Sequence, residues 1–432
     1  MNSTDLTTAL VGFDSRNPSL VPGAPGEHQV AVFMGDLLET WGFRVEIQEV
    51  VSGRFNVIAR GGSSGVEARS LMLNGHLDVV GVEGMSHLPF TPQIADGNVY
   101  GRGSADMKGG IASMCIAARE AIKLGVKGEI IIALVIDEEY ESLGTRALIA
   151  SGVRADAAII AEPTRLALCP AHRGFVWVRL DVHGHAAHGS RYDLGVDAIT
   201  HAALIIAELD RVQRKTLQQR THPLLGRGSL HMSVIAGGRG LSTYPDLCSV
   251  DIERRTLPGE TARTFLDELA AATATVRITH PDLNVDISVT TSQSASDVAR
   301  DASIIVEMLE ALERERLPSR VEGLSAWTDA ALLNEAGIPA ICFGPGDIAL
   351  AHSATEYVPV LEIEAATPDA ARLAAAEITL IDLARQGHAD ILAFKIAARE
   401  VTPVSALSGD HGDAADEDAA QKPRPSGWYR PV

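Results

Sequence analysis

Apolar residues change their rhythm along the chain, and each rhythm predicts a different kind of module. From the N-terminus to about Arg173, helical and extended patterns alternate. Ala31 to Trp41 has apolar residues at helical spacing, and Arg44 to Val50 follows as a strand. Ser70 to Asn74 reads as a short buried strand and Met107 to Leu124 as a helix. Glu129 to Ile136 is a nearly unbroken β-branched run, which predicts a strand covered on both faces. Ala157 to Ala161 is another short apolar strand. Strands alternating with helices predict an α/β domain, a mostly parallel sheet with helices on both faces.

Between about Phe175 and Thr291 the order differs. Val176 to Val182 alternates like a strand with one wet face, and Leu194 to Gln213 reads as a helix. Ser229 to Ala236 and Leu247 to Glu253 read as strands. Glu260 to Thr275 is a helix opened by Pro258-Gly259, and Asn284 to Val289 is a strand. That order, βαββαβ, predicts a small two-layer domain inserted into the first. After about Asp297 the α/β character returns. Ile304 to Glu313 and Ala330 to Ala336 are helical, Ile338 to Phe343 is a strand, and Leu361 to Ala398 is a long Ala-rich helical stretch broken at Gly387. Beyond about Val401, acidic residues and prolines replace apolar ones, which predicts a disordered tail. The expected division is 1–174 and 293–400 for the two parts of the larger domain, 175–292 for the insertion, and 401–432 for the tail.

Composition narrows the class. Hydrophobic residues make up 46% of the 432, enough to fill a core, so disorder of the whole chain is excluded. A net charge of −19 argues against a basic nucleic-acid groove. Cys115, Cys169, Cys248 and Cys342 lie far apart, so neither a thiolate zinc site nor a disulfide framework is indicated. The N-terminus lacks a basic region followed by an apolar stretch, and the longest strongly apolar run, Ile130 to Ile136, is far short of the roughly 20 residues of a membrane helix. The expectation is a soluble cytoplasmic protein that engages neither membrane nor nucleic acid.

Candidate chemistry sits just after the predicted strands. GHLDVV places His76 and Asp78 after one, DEE places Asp137, Glu138 and Glu139 after another, and AEP places Glu162 after a third. Asp106 lies in the glycine-rich GRGSADMKGG before a helix, and His352 follows a strand through the loop FGPG, Phe343 to Gly346. Taken singly, each has a plain structural reading: a satisfied histidine, a helix cap, a wet strand end. In open α/β sheets, however, ligands bind beyond the carboxyl ends of strands, so these groups should converge. Histidines with carboxylates suit zinc-type ions, and a further carboxylate that is not a ligand is needed to deprotonate water. Asp78 is placed to hydrogen-bond the far nitrogen of the His76 imidazole. The glycine-rich stretch lacks phosphate-loop spacing, so nucleotide binding is a poor reading.

GHLDVV, GRGSADMKGG, DEE, AEP and AHSATEY, in this order, resemble the zinc-dependent aminoacylase, acetylornithine deacetylase, succinyl-diaminopimelate desuccinylase and glutamate carboxypeptidase family of di-zinc amidohydrolases. The resemblance covers about residues 5 to 385. It implies a catalytic α/β domain with two zinc ions per chain, for which Co2+ or Mn2+ could substitute, and an inserted lid through which chains form homodimers. Carried over by residue, it makes His76, Asp106 and Glu162 the ligands of one ion, and Asp106, Glu139 and His352 those of the other. Glu138 matches the general base and acid, and Asp78 the partner of His76. In the lid, His188 of HGHAAHGS matches a donor to the scissile carbonyl oxygen, with His183 and His185 as nearby competitors. Arg255 matches an arginine that grips a substrate carboxylate. Many relatives carry Asn where this chain has Ser242, which leaves the substrate's contacts open. Gly344 is expected to line the substrate pocket, letting substrate approach the backbone.

The implied activity is hydrolysis of the amide bond of an N-acyl amino acid or related small N-acyl amine, by water activated at the two ions, with Glu138 moving the proton. The same ligand set serves a dipeptidase or a glutamate-type carboxypeptidase. A silent relative that only binds is the remote alternative, and the intact Glu138 speaks against it.

Overall fold

The computed structural model describes residues 1–63 and 68–367. Its main sheet has nine strands. In spatial order they are Arg44–Val51, Arg54–Gly62, Glu129–Val135, Ser70–His76, Ala157–Ile160, Ala340–Cys342, Leu168–His172 and Ser296–Asp297, with Val321–Leu324 also paired to Leu168–His172. The four strands from Glu129–Val135 to Ala340–Cys342 are parallel, and antiparallel pairs flank them. Glu129–Val135 is buried along almost its whole length, as a β-branched run covered on both faces must be. Helices His28–Thr40, Gly109–Lys123 and Ser303–Arg314 contribute buried faces to the same core. Gly110 lets one of them close on the sheet: a Cβ there would sit 1.9 Å from the carbonyl oxygen of Ala161. That contact seats the Asp106 turn beside the strand end that carries Glu162.

The elements between Gly174 and Gln293 make a second sheet. Its antiparallel order is Ser229–Gly237, Leu247–Thr256, Gly174–His183, Asn284–Gln293. Helices Ala198–Thr216 and Ala262–Thr279 cover one face, and the βαββαβ order expected from the sequence is the one observed. Alternation gives the sheet its sides. Val176, Val178, Leu180 and Val182 are buried, while the residues between them are not. Both connections to the main sheet run side by side, since Phe175 pairs with Gln293 and with Arg255. At Gly174 a Cβ would lie 2.4 Å from both Ala295 N and Gln293 O, so the crossing needs glycine.

Strands Arg54–Gly62, Leu168–His172 and Val321–Leu324 and helices Ser3–Val11 and Leu143–Ala150 go beyond the elements read from sequence. Of the long helical stretch from Leu361, the helix Val360–Ala365 is described. The rest of that stretch and the tail from Val401 lie outside the described residues. The four cysteines are buried and free. Among the described residues no helix is long and apolar enough to cross a membrane.

Candidate metal centre

Carboxyl ends of adjacent parallel strands bring the polar residues together. His76 ends its strand, fully buried. Its Nδ1 donates to the carbonyl oxygen of Asp78 at 2.9 Å, which fixes the tautomer and leaves Nε2 facing Asp106 Oδ1 at 3.0 Å. This corrects the expected role of Asp78. Its main-chain oxygen orients the imidazole, while its carboxylate is 3.7 Å from Nδ1 and serves elsewhere. That carboxylate accepts the backbone N–H groups of Glu138 and Glu139, both at 3.2 Å, and the Asn17 amide at 2.8 Å.

Glu138 and Glu139 are successive residues, yet both reach the cluster. An extended strand would send them to opposite faces. Asp137 prevents this by adopting a left-handed backbone, φ 67°, directly after the strand. A buried network holds it there: its carboxylate takes bonds from Arg54 and Asn17, each at 3.0 Å. Arg54 also pairs with buried Glu27, with Nε donating at 2.8 Å.

On the other side, Asp106 lies in the irregular turn Ser104–Lys108, after a left-handed Gly103. Its N–H and that of Ala105 donate to Glu356, which pairs with Arg102 at 2.6 Å. His352, 52% exposed and itself left-handed at φ 61°, places Nε2 at 3.0 Å from Glu139 and 3.4 Å from Asp106. Glu162, after Ala157–Ile160, is buried.

Ligand atoms of His76, Asp106 and Glu139 all lie within 4.8 Å of one another, and so do those of His76, Glu138 and Glu162. Among the described residues no Lys or Arg ion-pairs with Asp106, Glu138, Glu139 or Glu162. Burial therefore pushes the Glu138 and Glu162 carboxyls well up, and neighbouring negative charge adds to the rise. Glu139 rises for the same reasons, against the pull of His352. Asp106 is drawn down despite burial by the neighbouring imidazoles of His352 and His76. Bonds to Asp106 and Glu139 raise His352 to about 10. Four carboxylates and two imidazoles gather here, more acids than bases. The donor types and the charge fit divalent cations.

The lid residues lie apart from this cluster in hydrogen bonding. His188 is exposed in a loop, its Nδ1 bonded to Ser190 Oγ at 2.8 Å. The loop is tied to the segment carrying Ser242, whose carbonyl accepts the Gly189 N–H at 2.8 Å. His183 is engaged with Asp286 at 3.0 Å, and His185 pairs through its backbone with Val196. Strand alternation separates the two neighbouring arginines. Arg254 is buried and paired with Glu260, whereas Arg255 faces the other side, over the Phe175 ring and 2.8 Å from Glu253. At Gly344 the chain itself makes a close backbone approach. A Cβ there would meet the carbonyl oxygens of Ala161 at 2.5 Å and Glu162 at 2.7 Å.

The family model for peptidase family M20/M25/M40 matches residues 72–376, most of the chain. The chain belongs to that family. It is 30% identical over 335 residues to an acetylornithine deacetylase of Myxococcus xanthus, covering 76% of this chain and 86% of that protein. It is 28% identical over 382 residues to an N-formyl-4-amino-5-aminomethyl-2-methylpyrimidine deformylase of Bacillus subtilis, covering 79% and 87%. Among solved structures, a tripeptidase from Staphylococcus aureus superposes with a TM-score of 0.71 at 18% identity, covering 88% of this chain and 97% of that one. The protein is a metal-dependent amidohydrolase of the M20 type.

Several working residues of this M20 chain carry little sequence signal. Asn17, Glu27 and Arg54 stand far upstream of the motifs and reach the site only through the fold. Glu356 lies inside AHSATEY and was overshadowed there by His352. Asp329 precedes the helix Ala330–Glu335 and looks like a helix cap. Instead it is buried, accepts from Thr145 Oγ1 at 2.5 Å, and is pushed up by burial to about 6.

Proposed function

We propose that the protein hydrolyses the amide bond of an N-acyl amino acid or a closely related N-acyl amine, releasing a carboxylic acid and a free amine. The observation that carries this is the cluster itself, two groups of metal-type ligands that share His76, with Glu138 in the second of them next to Glu162. The resemblance to the Myxococcus xanthus deacetylase supports the N-acyl class.

His76, Asp106 and Glu162 would hold one ion, and Asp106, Glu139 and His352 the other, zinc being the first candidate and Co2+ or Mn2+ able to take its place. Two such ions, when bound, polarise the amide carbonyl and acidify water. Glu138 takes a proton from the attacking water and delivers it to the leaving nitrogen. Asp78 and Asp137 hold the Glu138–Glu139 turn in place through the bonds described above. Arg255 grips the substrate carboxylate, and Ser242 lies on the lid segment joined to the His188 loop. His188 donates to the carbonyl oxygen as negative charge develops there.

The test is amine release from N-acetyl, N-succinyl, N-formyl and longer N-acyl amino acids, with dipeptides alongside, in added zinc or cobalt. Cleavage of one N-acyl class supports the reading. Cleavage of dipeptides alone would move the protein to the peptidases.

A homodimer through the lid accompanies this reading. Ser229–Gly237 is an edge strand with exposed Val234 and Ile235, the kind of edge that pairs with another chain. If His188 acts across such a dimer, His188→Ala and Glu138→Gln chains are each inactive alone. Mixed in equal amounts, they should recover about a quarter of the active sites by random pairing. Heterodimers without recovery would place His188 in its own chain's site or outside the reaction.

A further inference from the structure

Beside Arg255 the lid and the main sheet meet in a wall of rings. The Arg255 guanidinium lies 5.3 Å from the centroid of Phe175. Phe175 is 5.1 Å from Trp177 and meets Trp327 edge-on at 6.3 Å, and Trp327 meets His172 edge-on at 6.4 Å. The Trp327 indole N–H is already taken by the carbonyl oxygen of Ser294 at 3.0 Å, so what the ring offers is apolar surface. The same loop leads straight into the metal centre. Thr328 hydrogen-bonds with Cys342 Sγ at 3.3 Å, and two residues beyond Cys342 the backbone at Gly344 packs against the carbonyl oxygens of Ala161 and Glu162. The wall therefore starts at the candidate carboxylate grip and ends on the loop that is bonded to the strand Ala340–Cys342.

We propose that this wall receives the side chain of the amino-acid half of the substrate and selects a large apolar group, aromatic above all, with Trp327 as the specificity-determining residue. The inference rests on the N-acyl amino acid reading above. In such a substrate the carboxylate and the side chain leave the same carbon. A carboxylate held by Arg255 therefore sets the side chain near Phe175, the ring against Arg255, and near the rings that continue from it. A cationic side chain is disfavoured there despite the aromatic faces. Arg255 is itself a cation lying over Phe175, so an ammonium placed against that ring would be repelled by it. Glu253, the acid at hand, is already bonded to Arg255 and to the Trp177 indole. The selectivity expected here thus differs from that in the name of the Myxococcus relative.

The experiment compares kcat/KM for N-acetyl-L-phenylalanine, N-acetyl-L-ornithine and N-acetylglycine with metal-loaded protein, then repeats it with Trp327→Ala and Trp327→Phe. The expected result is a preference of about tenfold or more for the phenylalanine substrate over the ornithine one. Trp327→Ala should lower kcat/KM for the phenylalanine substrate about tenfold more than for the glycine one, and Trp327→Phe should restore most of that difference. Equal rates on phenylalanine and ornithine substrates, preference for ornithine, or a loss in Trp327→Ala that is the same for glycine and phenylalanine would overturn the proposal and leave the deacylase reading standing. Cleavage of none of the three, with dipeptides cleaved, would overturn that reading and the proposal with it.

Discussion

Glu138→Gln should lower kcat by about 10²- to 10⁴-fold, the usual worth of a positioned general base, while the protein still binds its metals. The amide keeps the shape of the side chain and cannot accept a proton. The turn that presents it is held from behind by the Asp78 carboxylate and the Asp137 network, which the substitution leaves untouched. Metal analysis and a denaturation curve of the variant, beside its kcat on the best N-acyl substrate, separate loss of chemistry from loss of fold. Near-normal kcat with metals bound would remove Glu138 from the proton path and turn attention to Glu139, whose ligand atoms lie in the same cluster.

The largest stability effect is expected at a residue that touches no substrate. Arg54 is buried and is the shared cation of Glu27 and Asp137, both buried more completely still. Arg54→Met fills a similar space but strands two carboxylates, and should destabilise the protein by about 3–5 kcal/mol. Glu27 makes the cost visible, since burial pushes its carboxyl up even with Arg54 in place. Adding Glu27→Gln to Arg54→Met removes one stranded charge and should recover part of the loss, a coupling that a double-mutant cycle in urea measures directly. Loss of less than about 1 kcal/mol in the single variant would show that water already solvates these acids.

The sequence discloses residues whose pattern is local and hides those whose partners are remote. Helices and strands of the lid are legible because each shows one apolar face, as Val176 to Val182 do. The candidate ligands are legible because strand ends in a parallel sheet converge, so the sequence alone places His76, Glu139 and Glu162 together. Arg54 cannot: it follows a turn and looks like any exposed arginine until Glu27 and Asp137 close on it. Asp78 shows the finer limit. Its neighbourhood to His76 is readable, but whether its main chain or its carboxylate does the orienting depends on a geometry that no spacing encodes. Gly344 reads as an open floor for substrate because a glycine's need for space does not say what fills it.

The double crossing at Gly174 ties the lid to the main sheet at one end. Phe175, Gln293 and Arg255 lie abreast on it, whereas the His188 loop follows the far end of the ten-residue strand Gly174–His183. At about 3.3 Å per residue, that end is some 30 Å away. Any swing of the lid about the crossing scales with distance from it, as on a lever. With the roles proposed above, Arg255 would hardly travel and could hold a carboxylate while the cleft is still wide, whereas His188 would make the full sweep. On that proposal anchoring and carbonyl contact would be successive events, the first set by the fulcrum and the second by the tip.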